Sequence, residues 1–236
     1  LHRRRHSFPT RRSSDLVDIS EQQISQLPLI PLDTELADTL LNTPLSLISK
    51  PTYCVSHDGL DEFNCGQLWN EIALQPGESI VKQSIKAAFS EIENIAVVHD
   101  PEAIDYVVKT KLTDGAVVNI RSLGDGVRRL FGILLCAVNA RDGYLLIDEI
   151  ENGLHWSIHE QMWRMLFSIA SDMNIQIFAT THSEDTVSAF ESAWRAHESA
   201  GAFHRLERHP KSGKIVASTY LLETLSASID TDSEVR

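Results

Sequence analysis

Four consecutive apolar residues, Tyr144–Ile147, stand directly before two acids, Asp148 and Glu149. A short, continuous apolar run predicts a strand that is buried on both faces of a sheet. Helical patterns lie on either side of this run, and a second apolar run follows at 175–180. Alternating helices and apolar strands predict an α/β fold, with a parallel sheet at its core and helices on both faces. Such sheets bind ligands at the carboxyl ends of their strands, so the two acids emerge where a ligand would bind.

The other elements follow from the same periodicities and from turn residues. Pro76-Gly77 separates two predicted helices, and Asp114-Gly115 is a strong hairpin signal. The predicted helices are 60–74, 79–92, 125–139, 156–171 and 183–196, and the further predicted strands are 95–98, 106–112, 116–120, 203–207 and 215–220.

The composition excludes several classes of protein. Apolar residues make up 42% and charged residues 23% of the chain, which is the range of a globular protein. No apolar run approaches the roughly 18 residues of a membrane helix, and no secretory signal pattern follows the basic start. The three cysteines lack CxxC spacing, which favours a reducing cytosol. We therefore expect a cytoplasmic protein without a membrane span.

The net charge of −12 conceals a basic start. Residues 1–16 hold five arginines and one acid, so the remaining 220 residues carry 16 basic and 32 acidic side chains. A body of this charge repels nucleic acid on average, although a local basic groove would still allow binding. Residues 6–16 resemble the translation of a sequencing-library adapter. We expect residues 1–16 to be a disordered artefact outside the fold.

Asp148 and Glu149 are residue types that phosphoryl transfer requires, because its transition state is stabilised mainly by metal charge and positioning. A strand that ends in this pair resembles a Walker B motif followed by a catalytic glutamate. The resemblance implies that Asp148 holds Mg²⁺, directly or through water, and that Glu149 polarises the attacking water. The alternative is an ordinary buried strand that ends in a solvated acidic turn.

The segments that follow carry the same resemblance. Residues 148–155, DEIENGLH, are similar to the Walker B and D-loop region of ABC-type ATPases. This sequence pattern resembles that of the AAA-15/AAA-21-like branch, which is related to overcoming-lysogenization-defect proteins. Residues 176–183 form an apolar strand that reaches His182, which resembles the switch histidine. The resemblance implies that His182 contacts the γ-phosphate and the attacking water, and that His155 belongs to the nucleotide-binding residues. His155 and His159 could also share a metal, but no third ligand has suitable spacing.

Residues 122–129, SLGDGVRR, resemble the ABC signature, whose glycine turn and helix N-terminus face the γ-phosphate of the partner subunit. The cofactor-binding residues implied here are Ser122, Gly124, Asp125 and Gly126. The signature serine corresponds to Ser122, or its place is taken by Gly124 with a backbone contact. The alternative is a glycine that simply caps a helix.

No GxxxxGK[ST] phosphate-binding loop occurs in the sequence. Because this loop lies near the N-terminus in ABC-type ATPases, the resemblance implies an N-terminally truncated protein. We expect residues 17–112 to be a partial helical or arm region and residues 113–236 to be the C-terminal half of the ATPase core. We also expect this chain alone to be inactive.

The resemblance implies cofactors and partners for the complete protein. It would bind ATP and Mg²⁺ between two head-to-tail subunits, as an ATP-dependent homodimer, and hydrolyse the ATP. A second hypothesis is a nucleotide-gated interaction module that controls a separate effector, such as a nuclease in DNA metabolism or phage defence. A nucleic-acid partner is compatible with both hypotheses, since fold-level kinship does not define function.

Overall fold

A computed structural model describes residues 50–101, 105–197, 200–209 and 213–231. The adapter-like residues 1–16 and the rest of the segment up to residue 49 lie outside the described residues, so their assignments stay predictions.

Eight strands and six α-helices follow one another along the described ranges. They are β1 (Thr52–Val55), α1 (Glu62–Ile72), α2 (Pro76–Ala88), β2 (Ile92–Asp100), β3 (Asp105–Leu112), β4 (Val117–Asn119), α3 (Asp125–Asn139), β5 (Tyr144–Ile147), α4 (Trp156–Met173), β6 (Gln176–Ala179), α5 (Glu184–Arg195), β7 (Phe203–Arg208), β8 (Ile215–Tyr220) and α6 (Leu222–Asp230). A 3₁₀ turn, Ile120–Leu123, leads into α3.

A parallel sheet with the strand order β1-β5-β6 forms the centre of the fold, as the sequence predicts. Its middle strand, β5, has the predicted bounds and buries Leu145 and Ile147. The pairing of β1 with β5 was not predicted, because β1 has only four residues and two of them are exposed. Since β1 and β6 flank β5, the chain segments that follow all three strands meet at one edge of the sheet.

Helix α3 supplies most of the core behind this sheet. Its bounds are those predicted, and eleven of its fifteen residues are buried. Phe131, Leu134 and Leu135 are fully buried and belong to one continuous hydrophobic cluster with β1, β5, α1, α2 and α4. The apolar face of α3 thus fixes its N-terminus against the carboxyl ends of β1 and β5.

An antiparallel sheet, β2-β3-β4, packs beside α1 and α2. Its β3–β4 hairpin turns at Asp114-Gly115, as predicted. The predicted separation into two helices beside this sheet is confirmed, but both predicted bounds of the second helix were wrong. This helix begins at Pro76 instead of residue 79, since proline fits the first helical turn. Residue 92 opens the longer strand β2, because pairing with β3 outweighs the helical spacing of this segment.

The proposed boundary at residue 112 falls between β3 and β4, which are paired with each other. Moreover, β1 lies within the segment 17–112 but forms part of the parallel sheet with β5. The hydrophobic core therefore runs across this boundary in the described residues.

The second face of the parallel sheet carries exposed apolar side chains. Cys54, Leu146 and Phe178 are paired across the three strands and so project to the same side. Leu146 and Phe178 are 37% and 52% exposed. Parallel sheets are normally covered on both faces, which makes this patch unusual.

The terminal part of the chain adds the predicted hairpin β7–β8 and an unpredicted helix, α6. Leu225 of α6 is fully buried, and its neighbour Ser226 donates a hydrogen bond to Glu191 of α5. These contacts attach the C-terminal elements to α5.

The junction between β1 and β5 gives a test of this packing. A Cβ atom on Gly143 would overlap the carbonyl oxygen of Pro51, whereas one on Gly132 would lie 3.5 Å from Leu60 in ordinary contact. We expect Gly143→Ala to lower the free energy of unfolding by about 1–3 kcal/mol. Gly132→Ala is the matched control and should be neutral or stabilising by up to about 1 kcal/mol, since alanine favours helix. Urea denaturation measures both, and equal effects would contradict the described junction.

Candidate functional site

The acids Asp148 and Glu149 leave the carboxyl end of β5 beside Thr180, which follows β6. The Thr180 hydroxyl donates a hydrogen bond to Oδ1 of Asp148 (2.7 Å) and accepts one from the backbone N–H of Glu149 (2.9 Å). The backbone N–H of Thr180 is in turn bound to the Ile147 carbonyl at 2.9 Å. One hydroxyl therefore fixes the side chain of the first acid and the main chain of the second.

Glu149 has a left-handed backbone, with φ at 46°. A residue other than glycine in this conformation costs on the order of 1–3 kcal/mol and persists only where its surroundings enforce it. Its N–H is held by Thr180, and its carboxylate oxygen Oε2 lies 2.6 Å from Nδ1 of His57. The main chain and the side chain of Glu149 are thus both anchored.

Arg129 of α3 lies directly behind the acids and is only 6% exposed. Its guanidinium donates to the carbonyls of Asp148 (2.7 Å) and Glu149 (3.2 Å) on one side. On the other side it donates to the carbonyl of Ser56, in the segment that follows β1. Burial lowers the pKa of Arg129, and the nearby acids oppose this, so the guanidinium stays charged.

His182 follows β6 and has an exposed side chain. Its backbone N–H donates to Oε1 of Glu151 at 2.9 Å, and the N–H of Ile150 is bound to the Thr180 carbonyl at 3.0 Å. These bonds join the segment after β5 to the segment after β6. The exposed imidazole of His182 therefore lies on the same sheet edge as Asp148 and Glu149.

The glycine turn that opens α3 contacts the turn that follows the acids. Gly124 has a φ of 94°, and a Cβ atom on Gly126 would lie 2.9 Å from the Gly153 carbonyl oxygen. The hydroxyl of Ser122 donates to the carbonyl of Asn119 at 2.7 Å, so it closes the preceding 3₁₀ turn. Asp125 is exposed and lies 3.3 Å from Arg128. The structure therefore brings the predicted signature-like turn against the D-loop-like turn of the same chain.

His155 precedes α4 and caps it: its Nδ1 lies 2.9 Å from the hydroxyl of Ser157 and accepts from the Ser157 N–H. His159 is instead buried, with Nδ1 3.0 Å from the Thr186 hydroxyl, and burial lowers its pKa. The two histidines thus have different structural partners. Within the ranges that the structure describes, no group of three or more His, Cys, Asp and Glu side chains is arranged to hold a metal.

The arrangement fits a Mg²⁺ ion at Asp148. This ion keeps several waters and is usually held by one or two protein carboxylates together with substrate phosphates, so it needs no cluster of protein ligands. Asp148 is exposed, and Thr180 engages only its Oδ1 atom among the bonds described. A carboxylate oxygen thus remains for the ion or for its water.

Three residues of this site were missed by the sequence reasoning: His57, Arg129 and Thr180. Thr180 stood in the predicted strand segment, and its hydroxyl at the end of an apolar strand was the available signal. No sequence signal marked Arg129, since a charged residue in an amphipathic helix is expected to be exposed. No sequence signal marked His57 either, because the strand that precedes it, β1, was not predicted.

Comparisons with known proteins agree with this geometry. Residues 59–187 match the AAA-15 family model, described as an AAA ATPase domain. An ATP/GTP phosphatase of Helicobacter pylori is 32% identical over 88 residues, which are 35% of this chain and 23% of that protein. The chain thus spans about a quarter of the length of this relative.

Two solved structures share the fold at low identity. One comes from work on ATP-driven dimerization and DNA-stimulated activation of SMC ATPases, with a TM-score of 0.51, 9% identity, and coverage of 73% of this chain and 99% of that chain. The other is an Smc head bound to the C-winged helix domain of ScpA, with a TM-score of 0.50, 11% identity, and coverage of 70% and 55%.

The parallel sheet and these neighbours define an α/β fold of the ABC-type P-loop ATPases. More specifically, the chain belongs to the AAA-15 family of AAA ATPase domains, whose model matches more than half of its length. None of the helices in the described ranges is long and apolar enough to cross a membrane.

The two adjacent arginines of α3 test whether the site depends on Arg129. Arg129→Met should lower the free energy of unfolding by roughly 2–4 kcal/mol, because it removes the buried charged donor that the carbonyls of Ser56, Asp148 and Glu149 share. Arg128→Met, one residue earlier, removes only the partly exposed pair with Asp125 and should change stability by less than about 0.5 kcal/mol. Chemical denaturation of both variants measures the difference. Equal destabilisation would contradict the central position of Arg129.

Proposed function

We propose that the complete protein hydrolyses ATP with Mg²⁺ at the carboxyl end of β5. The observation that carries this proposal is the constellation of Asp148, Glu149 and Thr180, in which both acids are fixed on the ligand-binding edge of the sheet. Membership of an ATPase family supports the reaction type. The similarity to an ATP/GTP phosphatase also supports it.

Each residue has a role that its position allows. Asp148 holds Mg²⁺, which when bound neutralises charge on the phosphate oxygens. Glu149 orients the attacking water and accepts its proton, which needs a carboxylate held in a defined position. His182 donates a hydrogen bond to the γ-phosphate from the end of the neighbouring strand. Thr180 positions both acids through its hydroxyl.

The turn at Gly124 serves a second subunit in this proposal. The first N–H groups of α3 have no side-chain cap, and a helix N-terminus favours a bound anion. Ser122, Gly124, Asp125 and Gly126 of one subunit would face the γ-phosphate held by the other, and the result is an ATP-dependent homodimer. Structural work on the related SMC ATPases describes ATP-driven dimerization. His155, which caps α4 two residues after Gly153, would contribute to nucleotide binding.

The 236-residue chain would not hydrolyse ATP by itself. Its sequence has no GxxxxGK[ST] loop, so the β- and γ-phosphates lack their usual cradle of backbone N–H groups and lysine. In this proposal a segment that carries such a loop also covers the exposed apolar face formed by Cys54, Leu146 and Phe178.

The test is turnover by the complete ATPase, with the 236-residue chain as an inactive control. Glu149→Gln should retain ATP binding and lose hydrolysis by roughly 10²–10⁴-fold, because the amide cannot accept a proton. Asp148→Asn should weaken both Mg²⁺-ATP affinity and turnover, because it weakens the metal site. His182→Ala should resemble Glu149→Gln. Steady-state kinetics, nucleotide binding and light scattering measure hydrolysis, affinity and dimer formation.

Two results would contradict separate parts of this proposal, the role of Glu149 and the inactivity of the 236-residue chain. Near wild-type turnover by Glu149→Gln would contradict the catalytic role of Glu149. It would favour the second hypothesis, a nucleotide-gated module that controls a separate effector. Mg²⁺-dependent turnover by the 236-residue chain that Asp148→Ala abolishes would show that no further phosphate-binding loop is needed.

A further inference from the structure

We propose that His57 is a positioning residue for Glu149, and that Arg129 and Asn152 hold His57 in place for this purpose. The proposal rests on the proposed function, because it assumes that Glu149 acts on the attacking water. His57 lies outside the sequence motifs discussed above and comes from the segment that follows β1.

The contact between the two side chains is direct. Nδ1 of His57 lies 2.6 Å from Oε2 of Glu149. When Nδ1 is protonated, it donates a hydrogen bond that fixes one carboxylate oxygen of Glu149. The other carboxylate oxygen remains for the attacking water. The two side chains are 56% and 37% exposed, so Glu149 would sample several rotamers without this bond. The contact therefore selects one orientation of a side chain that its surroundings do not enclose.

The main chain of His57 is held from two directions. Arg129 donates to the Ser56 carbonyl on one side of the segment. Asn152, in the turn after the acids, donates from Nδ2 to the His57 carbonyl at 2.9 Å. Arg129 also binds the carbonyls of Asp148 and Glu149, so one buried guanidinium sets the spacing between the histidine and the glutamate.

A purely structural role does not account for this arrangement. An exposed contact between a histidine and a carboxylate contributes little to folding, because solvent screens it. Misplacement of a reacting group by about 1 Å, in contrast, can lower a rate by about 100-fold. The contact should therefore affect turnover much more than stability.

Steady-state kinetics of the complete ATPase test this role with three histidine variants. His57→Leu should lower kcat by roughly 10- to 100-fold, with KM for ATP and the melting temperature unchanged. His57→Asn should restore most of the activity, since its amide nitrogen takes the position of Nδ1. His204→Leu is the matched control: it removes an exposed histidine of β7 that contacts Thr219 and should leave kcat unchanged.

A double-mutant comparison separates this proposal from the proposed function. If His57 acts through Glu149, His57→Leu should cause no further loss in a Glu149→Gln background. Unchanged or increased kcat for His57→Leu, or an undiminished loss in the Glu149→Gln background, would overturn the positioning role while Glu149 remains catalytic. Near wild-type turnover for Glu149→Gln alone would instead overturn the proposed function.

Discussion

The buried guanidinium of Arg129 is the interaction on which the site depends. It joins the helix that begins at the glycine turn to the segments that follow two neighbouring strands. A charged group is costly to bury, and here the carbonyl oxygens of those segments offset the cost. Because the donors of a guanidinium are coplanar and fixed in geometry, they define the distance between these segments. The same contact supports the strained backbone of Glu149.

Small residues extend this connection to the glycine turn. Gly126 allows the start of α3 to approach the carbonyl oxygen of Gly153 more closely than a side chain would permit, and Gly153 itself has a left-handed backbone with φ at 74°. A shift of α3 would therefore move both the glycine turn and the backbone of Asp148 and Glu149. In the proposed dimer, the glycine turn would face the nucleotide bound by the partner subunit. A movement of α3 would therefore couple that contact to Asp148 and Glu149 of the same subunit.

The sequence predicted the elements whose signals are local. Strand β5 and helix α3 have their predicted bounds, because a buried strand and an amphipathic helix impose clear periodicities. Strand β1 could not be predicted, since its four residues carry no local strand pattern. They form a strand by pairing with β5, which lies almost a hundred residues later in the chain. His57 was missed for the same reason. The roles of Asp148, Glu149 and His182 stay predictions that rest on motif resemblance and on their shared position at one sheet edge.

The most direct test is the structure of the complete ATPase with Mg²⁺ and a non-hydrolysable ATP analogue. The account predicts that the metal lies at Asp148 or at a water bound to Asp148, and that the free carboxylate oxygen of Glu149 contacts a water in line with the γ-phosphate. A nucleotide bound with its phosphates away from the carboxyl end of β5 would contradict the account.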